Sequence, residues 1–398
     1  MSVVRKGARA TTVKVLSYVV LSLVAVVIVF PFVVAFSNSF KRADDIQRYP
    51  PSLVPRGPAT REDPATGAQQ DLYRFPDAEG EWAVVENGVS VSILADPDDP
   101  ARTVTVLADA VEATGEKVVI DGEEKSLYLV EVDGQTVEWF RVRSTTGGLF
   151  ESTDDPSVRR AALVLDATKV EEFAPRFANY GDVFNGKQLS RSLTNTAFVT
   201  ILVVAGQVFT SILGGYAFAR LRFKGRNALF LVYLGSVMIP FVVLIIPLYQ
   251  FMVKLGWVDN LVALIVPFIF TAYGTFLMRQ FFINIPEEIE EAALLDGASR
   301  WTILWRIFVP LARPAIATLC TFGFLYAWNS FVWPLVIINS GNKENLVLSL
   351  ALSTLGGRGA DSPSLVFAGV MIAMSAPVLV FLLAQRYFVE NQATSGMK

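Results

Sequence analysis

The sequence predicts an all-α, multi-pass membrane protein of six spans, with a small, mainly β domain inserted outside the bilayer. Three observations carry that reading. Six apolar runs are long enough to cross a membrane, one acidic stretch separates the first run from the rest, and the hydrophobic period changes inside that stretch. The chain is 53% hydrophobic over 398 residues, and its mean hydropathy is +0.45. A soluble domain rarely carries so much apolar content. A span needs about 20 apolar residues to cross about 30 Å of hydrocarbon. Runs at 15–36, 192–218, 228–253, 261–282, 314–338 and 365–385 meet that length. Arg5, Lys6, Arg9 and Lys14 precede the first run, as they would a signal peptide. Its 22 residues exceed a typical h-region and no Ala-x-Ala-like site follows, so it is expected to stay as the first helix.

Charge divides unevenly. Residues 41–187 hold 28 acids against 16 bases, a net −12, and the remainder holds 9 acids against 18 bases, a net +9. Lys and Arg in short loops set orientation. They gather before the first run, at Arg220, Arg222, Lys224 and Arg226, around Arg279, Arg300, Arg306 and Arg313, and at Arg386 and Lys398. The alternate loops 254–260 and 339–364 are poorer in bases. Both termini are therefore expected in the cytoplasm of a bacterial-type inner membrane, with the acidic block outside.

Several function classes fall away. There is no His, so imidazole catalysis and imidazole metal ligation are excluded. Cys320 is the single cysteine, sits in an apolar run, and reads as a small buried hydrophobe. No Gly-x-x-x-x-Gly-Lys-Ser/Thr loop occurs, so no ATPase is expected in this chain. The last five runs contain almost no ionisable groups at depth. That argues against a proton- or ion-coupled carrier and for a neutral solute. Pro240, Pro247, Pro267, Pro334 and Pro377 lie inside the runs, where packing kinks are favoured over gating hinges. A membrane sensor would need one or two spans and an output domain, and neither is present.

The stretch from Ile283 to Pro314 reads as a helix–turn–helix elbow. Pro286 suits the first turn of a helix, and Glu287, Glu288, Glu290 and Glu291 suit its positive end. Ile289, Ala292 and Ala293 make a small apolar face. Gly297 stands where a left-handed C-terminal cap wants glycine. Ser299 can cap a second helix carrying Trp301, Ile303, Trp305 and Ile307, and Pro310 is expected to end it.

Glu291-Ala292-Ala293, then Gly297 after three residues, Ile307 after nine more and Pro310 after two, resembles the EAA loop of binding-protein-dependent ABC importer permeases. Val309 stands where that family usually has Leu, an apolar exchange. Shorter pieces resemble the maltose/multiple-sugar branch: Tyr49-Pro50-Pro51-Ser52-Leu53, Asn179-Tyr180, Ser192-Leu193-Thr194-Asn195-Thr196, the run from Trp328 to Leu335, and Arg386-Tyr387-Phe388. The resemblance covers roughly 1–57 and 173–398 and implies the type I importer permease fold. It implies that Glu291, Ala292, Ala293, Asp296 and Gly297 dock on an ATPase. It also implies a homologous second permease subunit, two ATPase subunits holding ATP and Mg, and an extracytoplasmic solute-binding protein. This chain would bind no cofactor and no nucleic acid, and the solute would be a sugar or oligosaccharide. The competing readings are a secondary carrier, or a permease for another solute such as a polyol or a glycerol phosphate ester.

The resulting division is 1–40 for the N-terminus and first helix, 41–189 for the acidic outer region, 190–390 for the permease core with the EAA loop at 283–313, and 391–398 for the tail. Within the outer region, 58–172 falls outside the family pattern. There Trp82–Glu86, Val89–Leu94, Thr103–Leu107, Lys117–Ile120, Ser126–Val132 and Thr136–Val142 are rich in Val, Ile, Tyr and Trp. Asp121-Gly122 and Asp133-Gly134 are two-residue hairpin signals. The domain reads as a spacer or as a docking element for the binding protein. In the spans, Tyr249, Gln250, Tyr326, Trp328 and Asn329 are candidates to line a solute path, because aromatics and amides suit a neutral polyol. Tyr273 and Trp333 share that character, and helix packing is the alternative use for all of them.

Overall fold

The structure, a computed structural model, describes residues 3–64, 66–120, 122–132, 134–185, 188–357 and 363–395. Asp121, Asp133, Lys398 and the side chains of Arg386, Tyr387 and Phe388 lie outside the described residues. The chain divides into a helical unit, Met1–Leu53 with Arg176–Lys398, and a β unit, Val54–Pro175.

The helical unit opens with α1 (Val3–Ser39), whose segment Val13–Ser39 buries none of its most hydrophobic stretch within the chain. Such a surface is stable only where lipid or another protein replaces water. After the short α2 (Ala43–Ile46) and the β unit, α3 (Ala178–Asn185) leads into α4 (Gln188–Arg220), the second span. The Asn-Tyr pair ties this start to the end of α1. Buried Asn179 donates from Nδ2 to the carbonyls of Ser39 and Lys41, both at 2.9 Å, and Tyr180 Oη meets Ser39 Oγ at 2.8 Å.

The third apolar run is not one helix, contrary to the sequence expectation. α5 (Arg226–Gly235) continues through a 3-10 turn to Met238, and the chain then bends by 98° into α6 (Phe241–Leu255). Pro240 explains the bend, because its ring pushes the preceding residue out of the helical region, and Ile239 is extended at ψ 115°. The fourth run is broken more gently: α7 (Val262–Ile265), a 3-10 turn at Val266–Phe268, then α8 (Ala272–Ile283). Two α4 side chains meet the carbonyls freed at that break. Gln207 Nε2 donates to Phe268 O at 2.9 Å, and Thr210 Oγ1 donates to Ile269 O at 2.6 Å. Unmet, each such group in hydrocarbon would cost several kcal/mol.

Next come α9 (Glu287–Leu295) and α10 (Arg300–Ile303). Pro310 does not end the second elbow helix as expected. A π turn at Leu304–Phe308 carries α10 into α11 (Val309–Leu311), with Val309 N–H reaching back to Leu304 O, and the helix passes Pro310 before it stops. A 78° bend then starts α12 (Arg313–Trp328). The fifth run also ends earlier than 338. α12 closes at Trp328, and a separate α13 (Val332–Ile337) precedes α14 (Leu348–Gly357) and α15 (Pro363–Ser395). Four described helices can cross a bilayer alone, and the two bent pairs make six if each crosses once. One apolar core gathers around Met252, Trp333, Ile337 and Leu346, and a second around Met278, Phe282, Ile303 and Phe308.

The β unit is antiparallel throughout. Its strands are β1 (Arg56–Pro58), β2 (Thr60–Glu62), β3 (Gln69–Arg74), β4 (Trp82–Ala95), β5 (Thr103–Leu107), β6 (Glu112–Ile120), β7 (Glu123–Val132), β8 (Gln135–Ser152), β9 (Arg159–Ala162), β10 (Thr168–Lys169) and β11 (Glu171–Phe173). β1 pairs with β11, and the other nine form one sheet with the path β10-β3-β4-β8-β7-β6. Both hairpin signals mark two-residue turns, closing Ile120 on Glu123 and Val132 on Gln135, with Gly122 at φ +85° and Gly134 at φ +76°. The sequence split β4 at Asn87-Gly88. The strand instead runs through, because Gly88 at φ +82° absorbs a register shift as a bulge. β8 likewise extends to Ser152, bringing Phe150 into a core with Tyr73, Phe75 and Trp82.

Candidate functional site: the α9–α10 elbow

Helix α9 has the ends its sequence anticipates. Pro286 is its N-cap, and its C-terminus closes in a Schellman motif. Gly297 N–H donates to Leu294 O and Ala298 N–H to Ala293 O, both at 3.0 Å. Gly297 has φ +81°, and a Cβ there would meet nothing of this chain within 4 Å. Its glycine is therefore required by the backbone rather than by crowding. Ser299 Oγ accepts from Thr302 N–H at 3.1 Å and caps α10.

The structure separates the two alanines of the motif. Ala293 is buried with Ile303 and Phe308, whereas Glu291, Ala292, Asp296 and Gly297 are exposed. The exposed side also presents Leu295, 89% accessible and missed by the sequence reading. An apolar side chain so open at a helix end is left largely uncovered by the described residues. Glu291, Ala292, Leu295 and Asp296 are spaced i, i+1, i+4 and i+5, so they share one helix face.

The four glutamates do not act alike either. Glu290 is buried, 6% exposed, and does not simply answer the helix dipole. Its carboxylate accepts from the Arg300 guanidinium, lies 3.6 Å from Arg220 Nη1, and is approached by Tyr216 Oη at 3.4 Å. Arg220, the last residue of α4, donates from Nη2 to Phe282 O at 2.7 Å and also to Ile285 O, and stands over the Phe308 ring at 5.1 Å. Periodicity gave no warning of this. The only local sign was a basic residue ending an apolar run.

The five candidate path residues do not converge on one site. Trp328 is buried and its Nε1 donates to Ala373 O at 3.0 Å, and Trp333 Nε1 likewise donates to Ala263 O at 2.9 Å. Each indole N–H thus ties its residue to a carbonyl of another helix. Tyr326 and Trp328 line a cavity of about 20 Å³ with Thr196, Trp333 and Ser349, room for one water. Asn329 and Trp328 border an open groove of about 480 Å³ with Phe32, Ser349 and Phe381. Tyr249 and Gln250 line neither and are exposed on α6. Tyr273 packs edge-on against Phe322 at 6.0 Å.

Comparison with known proteins completes the site. Residues 207–392 match the family described as binding-protein-dependent transport system inner membrane component. The arabinooligosaccharides transport system permease protein AraQ of Halalkalibacterium halodurans is 36% identical over 205 residues, 51% of this chain and 72% of its own. The sn-glycerol-3-phosphate transport system permease protein UgpE of Pectobacterium atrosepticum is 34% identical over 203 residues, 51% of this chain and 72% of its own. A crystal structure of a bacterial ABC transporter involved in the import of the acidic polysaccharide alginate aligns with a TM-score of 0.48 at 26% identity, over 55% of this chain and 82% of that one. With its spans, its elbow and these relatives in view, the chain belongs to the binding-protein-dependent transport system inner membrane components: it is a permease subunit of an ABC importer.

Proposed function

We propose that this chain forms half of the membrane pathway for a sugar or oligosaccharide, and that the exposed face of α9 docks on a separate ATPase subunit. The observation that carries the docking is that face itself. Glu291, Ala292, Leu295 and Asp296 stand open on a helix whose opposite side is anchored in this chain's core. Small and apolar groups admit close approach, and the carboxylates can meet cations on the partner. ATP and Mg belong to that partner. A homologous second permease completes the pathway, since the cavity beside Tyr326, about 20 Å³, is too small for a sugar ring. Tyr249, Gln250, Tyr326 and Asn329 are exposed polar groups at which the two halves meet the solute. A solute-binding protein delivers the solute from outside, and both termini lie in the cytoplasm.

Two observations support a neutral sugar over a glycerol phosphate ester. The last five apolar runs carry almost no ionisable groups, so they offer a phosphate dianion almost no cation at depth. AraQ, named for an oligosaccharide, is 36% identical to this chain, against 34% for UgpE, named for glycerol phosphate. The test is affinity purification of the tagged chain from its native host. An ATPase, a second permease and a binding protein should co-purify, and that binding protein should bind oligosaccharides by calorimetry. A chain that purifies without an ATPase overturns the docking. Binding of glycerol phosphate in preference to every sugar overturns the substrate class.

A further inference from the structure

We infer that Glu290 is a positioning residue for coupling: clasped by Arg220, it is the joint through which movement of α9 reaches α4, the second span. The inference rests on the docking proposed above and adds where the movement goes next.

Of the nine residues of α9, only Glu290 and Ala293 are buried. Anything that pushes the exposed face must act on the rest of the chain through those two, together with the covalent ends of the helix. Ala293 offers an apolar contact without direction. Glu290 offers a directional one, because its two carboxylate oxygens meet different guanidinium groups. Arg220 takes Oε2 at 3.6 Å and Arg300 takes Oε1. The Arg220 side chain is 5% exposed and that of Glu290 8%, so water screens this pair far less than a surface pair. Arg300, at 51% exposed, is the outer and softer partner.

Arg220 makes the joint reach further than one ion pair. The same guanidinium holds the carbonyls of Phe282 and Ile285, at the end of α8 and in the link to α9. One residue at the tip of α4 thus grips both the entry to the elbow and its first helix, and Phe308 in the π turn stacks beneath it. The elbow and the second span are fastened to move together. Glu291, one residue on, is exposed and has no part in this clasp.

The test uses the whole importer, purified through a tag on this chain and reconstituted in proteoliposomes with its binding protein and an oligosaccharide that protein is shown to bind. Three quantities are read for Glu290→Gln: ATPase subunit retained per permease, ATP hydrolysed, and solute transported per ATP. Gln keeps the shape and removes the charge. The ATPase should stay bound and hydrolyse ATP, while solute per ATP falls at least about tenfold. A merely structural role would lower yield or complex content without moving that ratio. Should Glu290→Gln fail to accumulate, Glu290→Asp keeps the charge and shortens its reach. Its ratio should fall at least about threefold with the complex intact. An unchanged ratio in an intact complex overturns the inference, and so does loss of the ATPase from the variant, which would make Glu290 part of docking. A wild-type chain that never retains an ATPase would instead refute the proposed docking, so the two failures are distinguishable.

Discussion

Gly297 shows how little of a residue's role need involve contact within its own chain. A Cβ at that position would meet none of the described residues within 4 Å, yet φ +81° is a conformation that L-residues adopt at a cost of about 1–2 kcal/mol. The lipid-embedded helices tolerate such a local cost, so Gly297→Leu should insert and accumulate. The added side chain would project beside Asp296, where the ATPase is proposed to sit. Transport is expected to fall at least about tenfold, and ATP hydrolysis should no longer respond to the loaded binding protein. Gly225 is the matched control, with φ +78° and the same open surroundings, but at the start of α5. Gly225→Leu carries the same backbone strain, and uptake of radiolabelled solute should stay within about twofold of wild type. Equal losses in the two variants would assign the effect to strain and remove the case for docking at Gly297.

At the scale of elements, the β unit is closed by its own first and last strands. Pro58 pairs with Glu171 and Arg56 with Phe173, so the chain enters and leaves that unit at neighbouring points. Antiparallel partners lie about 5 Å apart, a gap a few residues can bridge. Replacing 60–170 with a short Gly/Ser bridge is therefore expected to leave the helical unit folded and its ATPase bound in detergent. Blue-native electrophoresis of the truncated chain checks this, and absence of the complex would make the β unit part of the permease fold. The broken fourth span works differently, since its break is held from a neighbouring helix. α8 depends on Gln207 and Thr210 of α4 for its unpaired carbonyls, which makes α4 the common support for the interrupted fourth span and the clasped elbow.

For the whole molecule, the distribution of Lys and Arg and the placement of the elbow make one orientation testable. In a Cys320→Ala background, a cysteine introduced at Thr136, in β8 beside the turn at Gly134, should react with a membrane-impermeant maleimide added to whole spheroplasts. One at Ala292, in a chain expressed without its proposed ATPase partner, should react only after permeabilisation. Both positions are exposed, so a missing signal reports sidedness rather than burial. Labelling of residue 292 from outside would reverse the topology, separating α9 from any cytoplasmic ATPase.

What the sequence determined by itself was local or repeated. The apolar character of the runs, the two-residue hairpins at Gly122 and Gly134, the caps at Gly297 and Ser299, and the family spacing from Glu291 to Pro310 all depend on residues within a turn or two of one another, or on a fixed count along the chain. The tertiary structure decided which members of those patterns face inward. It parted Ala293 from Ala292, clasped Glu290 rather than Glu291, and tied the Trp328 and Trp333 indoles to carbonyls of other helices. It also broke the third and fifth runs where hydropathy read straight through. The physical reason is the same in each case. Hydropathy and period sum one segment's preference for a non-polar surrounding, but a buried polar group is stable only with a partner. For Glu290 one partner beside Arg300 is Arg220, for the break before α8 it is Gln207, and for Trp328 it is the Ala373 carbonyl, these last three tens of residues away along the chain.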